Sequence, residues 1–366
     1  MCTAWRQTGL GGASLGDLFC KIPSSQALDT VTRSHELGVT YFDTAPWYGL
    51  GLSESRMGLA LCGLPRDSYV LSTKVGRYLR PHQDEKTWDS MVSTSRSTFE
   101  REQSTSCQLT DPSVSPAACR AQGWAGGLQN GIEFAYTYDD VMRQYEDSVQ
   151  RLGTGRIDCL VIHDIEEAEG QQPVHARGTR EFLAGEKGGY RALEKLRKDG
   201  KIKAFGAGIN IAVGTPNHTF DTYKEWNVAY FDFLISCAAP GEKKIDFILM
   251  AGNYTLLDLS AWESGILQKC LDHGVGVVVG GAYNSGILAT GAVKGAKFNY
   301  EDASEEIMER TRKLEAVCKE FGVPLAAAAL QFPLGHKAVA NVIPGNKSVS
   351  HQAACLCRRR RAFFNA

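Results

Sequence analysis

The chain has 366 residues, 43% hydrophobic and 22% charged, a balance that excludes disorder along its length and allows a sizeable core. Forty basic and 41 acidic residues leave a formal net charge of −1, so no global field recruits nucleic acid or an anionic membrane. No apolar run approaches the roughly 18 residues of a membrane span, and Met1–Arg6 lacks the apolar core of a secretory signal. The 11 cysteines are scattered without a C-x-x-C pair. They read as reduced thiols of a cytoplasmic protein, not as a disulfide framework or a metal site.

Along the chain, short apolar runs alternate with helical patterns, which predicts parallel strands joined by crossover helices. A Gly-rich segment, Thr8–Gly16, holds the first expected strand. The others are expected at Val39–Thr44, Tyr69–Lys74, Ile157–His163, Ile202–Ile209, Ile245–Asn253, Val275–Gly280 and Val339–Pro344. Runs such as DCLVIH and DFILMAG are apolar without alternation, as in sheets covered on both faces. Among the helices, Thr137 can cap one that buries Val141, Tyr145, Val149 and Leu152 and stops at Gly153. Tyr190, Leu193 and Leu196 form a second stripe ended by Gly200. Ser304 can cap a third, with Ile307, Leu314, Val317 and Phe321 facing inward. Eight strands with alternating helices predict a single-domain (β/α)8 TIM barrel over residues 1–349, with a doubly wound sheet as the alternative.

Three stretches break the rhythm and are expected as insertions: about 80–136, 164–188 and 231–244. The first is Ser/Thr-rich without periodicity, which predicts little regular structure. The third arises because Phe231-Asp-Phe-Leu-Ile-Ser repeats as Ile245-Asp-Phe-Ile-Leu-Met only 14 residues later. That spacing is too short for a crossover helix between parallel strands, so only the second copy is expected to be a barrel strand. Residues 350–366 form a divergent basic tail.

The chemistry is concentrated where apolar runs stop. Val39-Thr-Tyr-Phe ends on Asp43, Val70-Leu-Ser-Thr on Lys74, Leu160-Val-Ile on His163, and Ala204–Ile209 on Asn210. Strand carboxyl ends form the active face of a barrel. Asp43 and Lys74 at adjacent strand ends predict a salt bridge, which by itself reads equally as a buried ion pair without chemistry. Tyr48, in the loop PWYGLGLSES, reads either as an aromatic lid beside Trp47 or as an acid–base group. A phenol of pKa about 10 works near neutrality only if a cation favours the phenolate. Lys74 held by Asp43 can supply that cation, and His163 can orient a substrate oxygen.

With these residues in place, Gly38-Val-Thr-Tyr-Phe-Asp43-Thr-Ala45 and VIPG at 342–345 resemble the aldo-keto reductases. The resemblance implies an Asp43–Tyr48–Lys74–His163 catalytic tetrad and an extended NAD or NADP bound without a Rossmann fold. Asn210 would contact the nicotinamide amide, Asn284, Ser285 and Gly286 the pyrophosphate, and Lys347 and Ser348 the adenosine phosphate. Within the family, Asn253–Asp258 and Gly281–Gly291 are similar to the D-threo-aldose 1-dehydrogenase and L-fucose (L-galactose) dehydrogenase branch. This implies hydride transfer from C1 of a sugar, giving an aldonolactone. A pyridoxal or aldehyde oxidoreductase and a non-turnover regulatory subunit, as in potassium-channel β-subunits, are the alternatives. A small-molecule sugar or aldehyde, no nucleic acid, no membrane and a monomer or weak dimer are expected. Gly280 stands where many reductases stack a tyrosine, and the tail after Val349 departs from the family pattern.

Overall fold

A computed structural model describes residues 7–81, 124–163, 183–210 and 220–348. Eight parallel strands carry the architecture. They are β1 (Gln7–Thr8, resumed at Leu10–Gly11), β2 (Tyr41–Asp43), β3 (Val70–Val75), β4 (Cys159–Ile162), β5 (Ala204–Asn210), β6 (Phe247–Ala251), β7 (Gly276–Gly280) and β8 (Val339–Ile343). Each pairs with the next in chain order, and the order returns on itself at β1. Gln7 and Thr8 pair with Asn341 and Val342 of β8, while Leu10 and Gly11 pair with Phe42 and Asp43 of β2. The barrel expected from the apolar runs is therefore the fold, and the doubly wound alternative falls.

Period-two alternation divides the core. Phe42, Leu71, Leu160, Phe205 and Ile248 point outward under the helices. Tyr41, Cys159, Val161, Phe247, Leu249, Val278 and Ile343 fill the barrel interior. Register places Asp43 opposite Ser72, Ser72 opposite Cys159 and Lys74 opposite Val161. Asp43 and Lys74 thus share the inner face with that second cluster, at the carboxyl end of the barrel.

The helices follow from caps and stripes. They are α1 (Ser24–Glu36), α2 (Leu52–Leu61), α3 (Tyr138–Leu152), α4 (Gly189–Lys198), α5 (Phe220–Ser236), α6 (Ile266–His273), α7 (Glu305–Glu320) and α8 (Leu325–Gln331). Helix α3 opens on a capping box in which Asp140 N–H donates to Thr137 Oγ1 at 3.2 Å and Thr137 N–H donates to the Asp140 carboxylate at 3.1 Å. It buries Val141, Tyr145 and Leu152 and ends at Gly153 with φ 59°. Tyr190, Leu193 and Leu196 are buried on α4 as expected. Among the described residues, no helix is long and apolar enough to cross a membrane.

Three expectations need correction. On α7, Ser304 caps as expected, with Ile307 N–H donating to its Oγ at 3.3 Å. Yet Val317 and Phe321 are exposed, at 53% and 72%. Helix α8 follows at once, buries Ala326, Ala327, Ala329 and Leu330, and takes the inner position that the second half of α7 would need. Second, the edges of the 80–136 stretch are ordered: Arg77–Pro81 and Asn130–Phe134 form a five-pair antiparallel ribbon. Its cross-strand ladder needs no helical period, so the lack of one hid it. Third, Phe231–Ser236, read as part of an insertion, are the last residues of α5, while the second copy of the repeat forms β6. Residues 82–123, 164–182 and the tail from 349 lie outside the described residues.

Candidate active site

Four strand-end and loop residues converge at the carboxyl end of the barrel. Asp43 closes β2 and Lys74 lies one residue from the end of β3. His163 follows β4 directly, and its N–H extends the ladder to Val75 O at 2.8 Å. Lys74 Nζ donates to Asp43 Oδ2 at 2.6 Å and to Thr44 O at 2.8 Å, with both side chains of the pair almost wholly buried. Burial pushes the Asp43 carboxyl up, and the Lys74 ammonium beside it pulls the other way. The ammonium lies 4.7 Å from the centre of the Tyr48 ring. The His163 and Tyr48 rings meet edge to face at 5.9 Å. The four residues expected to act together stand together.

Local structure explains how Tyr48 reaches this place. It sits on a turn in which its N–H donates to Ala45 O at 3.1 Å and its carbonyl accepts from Ser53 N–H at 3.1 Å. The turn packs against the segment after β1 so closely that a Cβ on Gly16 would lie 2.5 Å from the Tyr48 carbonyl carbon. Only glycine permits that approach. Behind it, α2 is pinned by Glu54, which is fully buried. Its carboxylate accepts from Thr73 Oγ1 at 2.7 Å and pairs with Arg151 at 2.5 Å. Thr73 precedes Lys74, so the same carboxylate ties α2 and α3 to the strand that carries the lysine.

The residues named for the cofactor lie on the same face. Asn210 ends β5, in register with Ala251. Asn284, Ser285 and Gly286 follow β7 with three successive positive φ values, 43°, 60° and 116°. Within this turn Asn284 N–H donates to Gly281 O at 2.8 Å and Gly286 N–H to Tyr283 O at 2.9 Å. Asn284 is 2% exposed, donates to Gly252 O at 3.4 Å, and leaves its Oδ1 buried without a partner. Ser285 Oγ accepts from Tyr300 N–H at 2.9 Å. Lys347 and Ser348 follow β8, with the Lys347 ammonium 3.5 Å from Cys20 Sγ. Gly280 ends β7, where a Cβ would make ordinary van der Waals contact with Met250 O at 3.5 Å and Leu249 Cδ2 at 3.6 Å.

Sequence reasoning missed two aromatic residues here. Trp124 is buried, stacks on Tyr48 at 5.8 Å and meets Trp47 edge-on at 6.0 Å. Tyr136 donates its hydroxyl to His163 O at 3.1 Å. Both come from the stretch that looked structureless. The only signal was a tryptophan between glycines, in Gly123-Trp124-Ala125-Gly126, amid an otherwise polar run.

Comparison with known proteins gives consistent findings. The sequence model of the aldo/keto reductase family matches residues 7–357. A pyridoxal 4-dehydrogenase of Microbacterium luteolum is 37% identical over 340 residues, 93% of this chain and 85% of the relative. A D-threo-aldose 1-dehydrogenase of a Pseudomonas species is 31% identical over 349 residues, 92% of this chain and 84% of the relative. Among solved structures, an aldo-keto reductase of Bacillus halodurans superposes with a TM-score of 0.57 at 22% identity, covering 96% of this chain and 85% of its own.

Proposed function

The chain belongs to the aldo/keto reductase family of NAD(P)-dependent oxidoreductases, and we propose that it oxidises C1 of an aldose to an aldonolactone. The observation that carries this reading is the Tyr48 ring held between the Lys74 ammonium and the His163 ring. A phenol near a fixed cation is eased toward phenolate. Tyr48 would take the proton of the anomeric hydroxyl while the C1–H pair leaves as hydride, and the C1–O bond becomes the carbonyl of a lactone. Asp43 holds Lys74 in place, and His163 orients the sugar oxygen.

The nicotinamide, when bound, supplies the hydride acceptor. Asn210, Asn284, Ser285, Gly286, Lys347 and Ser348 would hold it. The buried Asn284 Oδ1 without a partner fits a ligand group that donates a hydrogen bond, as an amide or a ribose hydroxyl does. A lysine beyond β8 suits a phosphate monoester.

The likeness to a pyridoxal 4-dehydrogenase favours a second substrate. Aldoses close to cyclic hemiacetals in water, and pyridoxal does so through its neighbouring hydroxymethyl group. One device therefore serves both, since each loses the same hydroxyl proton and carbon hydride to give a lactone. The test is absorbance at 340 nm with NAD or NADP and L-fucose, L-galactose, D-arabinose or pyridoxal, with the product assayed as lactone. Turnover of at least one hemiacetal to a lactone is expected. Turnover confined to acyclic aldehydes would overturn the reading.

A further inference from the structure

Trp124 belongs to none of the barrel strands or helices, yet its ring lies against the residue read as the base. It is 5% exposed and stacks on Tyr48 with an interplanar angle of 29°. Its backbone is fixed from two sides. On one, Trp124 bridges Leu18, and Ala125 N–H donates to Asp17 O at 3.0 Å. Asp17 in turn is locked by a buried salt bridge to Arg56 at 2.7 Å. On the other, Leu128 N–H donates to Gly49 O at 2.9 Å and Asn130 Nδ2 to Leu50 O at 2.9 Å. Beyond Tyr48 the loop runs through consecutive positive φ values at Gly49, Leu50 and Gly51.

A phenol hydroxyl sits at the end of a long lever, so a small rotation about the first side-chain torsion moves it by ångströms. We propose that Trp124 is a positioning residue for Tyr48: its stacked ring, anchored to the turn after β1, holds the phenol aimed at the hydroxyl on the reacting carbon. This rests on the reading of Tyr48 as the base. Stacking is directional, so a side chain of similar apolar volume without a ring fills the site but does not set the angle.

The test compares Trp124→Leu with Trp124→Phe. Both keep an apolar group among Ala45, Trp47, Leu50 and Ile132, and circular dichroism checks that each is folded. Should the leucine variant unfold, Trp124→Met replaces it. The leucine variant is expected to lose about tenfold or more in kcat, with KM changed by less than about threefold, because a misaimed group costs rate and not binding. The phenylalanine variant should recover to within about threefold of the parent. Unchanged kcat in the leucine variant, equal losses in both variants, or a loss confined to KM would each overturn the proposal. Tyr48→Phe is measured in parallel. If it keeps turnover, the base assignment fails and the proposal with it. If it is inactive while Trp124→Leu is fully active, only the positioning role fails.

Discussion

Lys74 is 2% exposed, and its charge is tolerable there only because Asp43 Oδ2 and Thr44 O accept its protons. Removing one member of such a pair leaves the other charge buried and alone, a loss of about 3–5 kcal/mol. For Lys74→Met the sign with pH follows from Asp43, whose carboxyl burial already pushes up. Without the ammonium, the native state binds a proton that the unfolded chain releases at lower pH. Stability is then greatest on the acid side and falls as pH rises through the folded carboxyl's range. Urea unfolding of Lys74→Met at several pH values should show that decline more steeply than the parent, and an equal slope would refute it. Tyr48→Phe loses only a hydroxyl, so stability should hold while turnover falls roughly 10²–10⁴-fold, as for other acid–base groups. Asp43, Lys74 and His163 were legible because each polar residue ends an apolar run, and a polar strand tip in a barrel faces the active end. Trp124 was not. It carries neither period nor strand end, and only the folded path of the chain brings it to Tyr48.

At the scale of elements, local signals were readable where they are self-contained. Helix α3 announces itself through Thr137, Asp140, its apolar stripe and Gly153, and each does what its chemistry dictates. The ribbon between β3 and α3 was unreadable because its two strands, Arg77–Pro81 and Asn130–Phe134, pair across a long separation. The inward face assigned to α7 failed for a related reason: α8 competes for the same ground, and a stripe does not tell which helix wins. Helix α3 also receives the segment that returns after β4, since Tyr138 N–H donates to Lys187 O at 2.7 Å and Gly189 N–H to Tyr136 O at 2.8 Å. The cap therefore orders a junction as well as a helix end. Thr137→Ala should cost about 1 kcal/mol, the usual worth of a side-chain N-cap, and Thr137→Ser should restore most of it. Chemical denaturation decides this; an alanine variant as stable as the parent would show that the Asp140 carboxylate suffices.

For the whole molecule the decisive feature is closure, which leaves the eight-stranded barrel sheet without an edge and holds the strand ends that carry Asp43, Lys74 and His163 at a fixed spacing. The strand count was legible in seven apolar runs and one Gly-rich segment, but the details of the seam were not, because β1 is only two short pieces inside that segment. Gly9 lies between those pieces, and its N–H donates to Val342 O at 2.8 Å. Tyr41 of β2 and Ile343 of β8 crowd it from either side, so that a Cβ would come within 2.8 Å of Tyr41 O and of Ile343 Cγ2. The clash with the carbonyl cannot be relieved by a rotamer change, since that atom is backbone of a paired strand. Gly9→Ala is therefore expected to strain the seam and destabilise the barrel by about 1–3 kcal/mol, as overpacking of a dense core does. Because β1 pairs with both β2 and β8, the loss should appear as a lower midpoint of one cooperative melt, with the active-site geometry loosened in the same transition. Gly63→Ala is the control, since nothing lies within 4 Å of a Cβ there, and its midpoint should stay at the parent's or rise slightly. If Gly9→Ala melts with the control, the two strands flanking β1 can part without cost, and closure at this seam does not hold the barrel together.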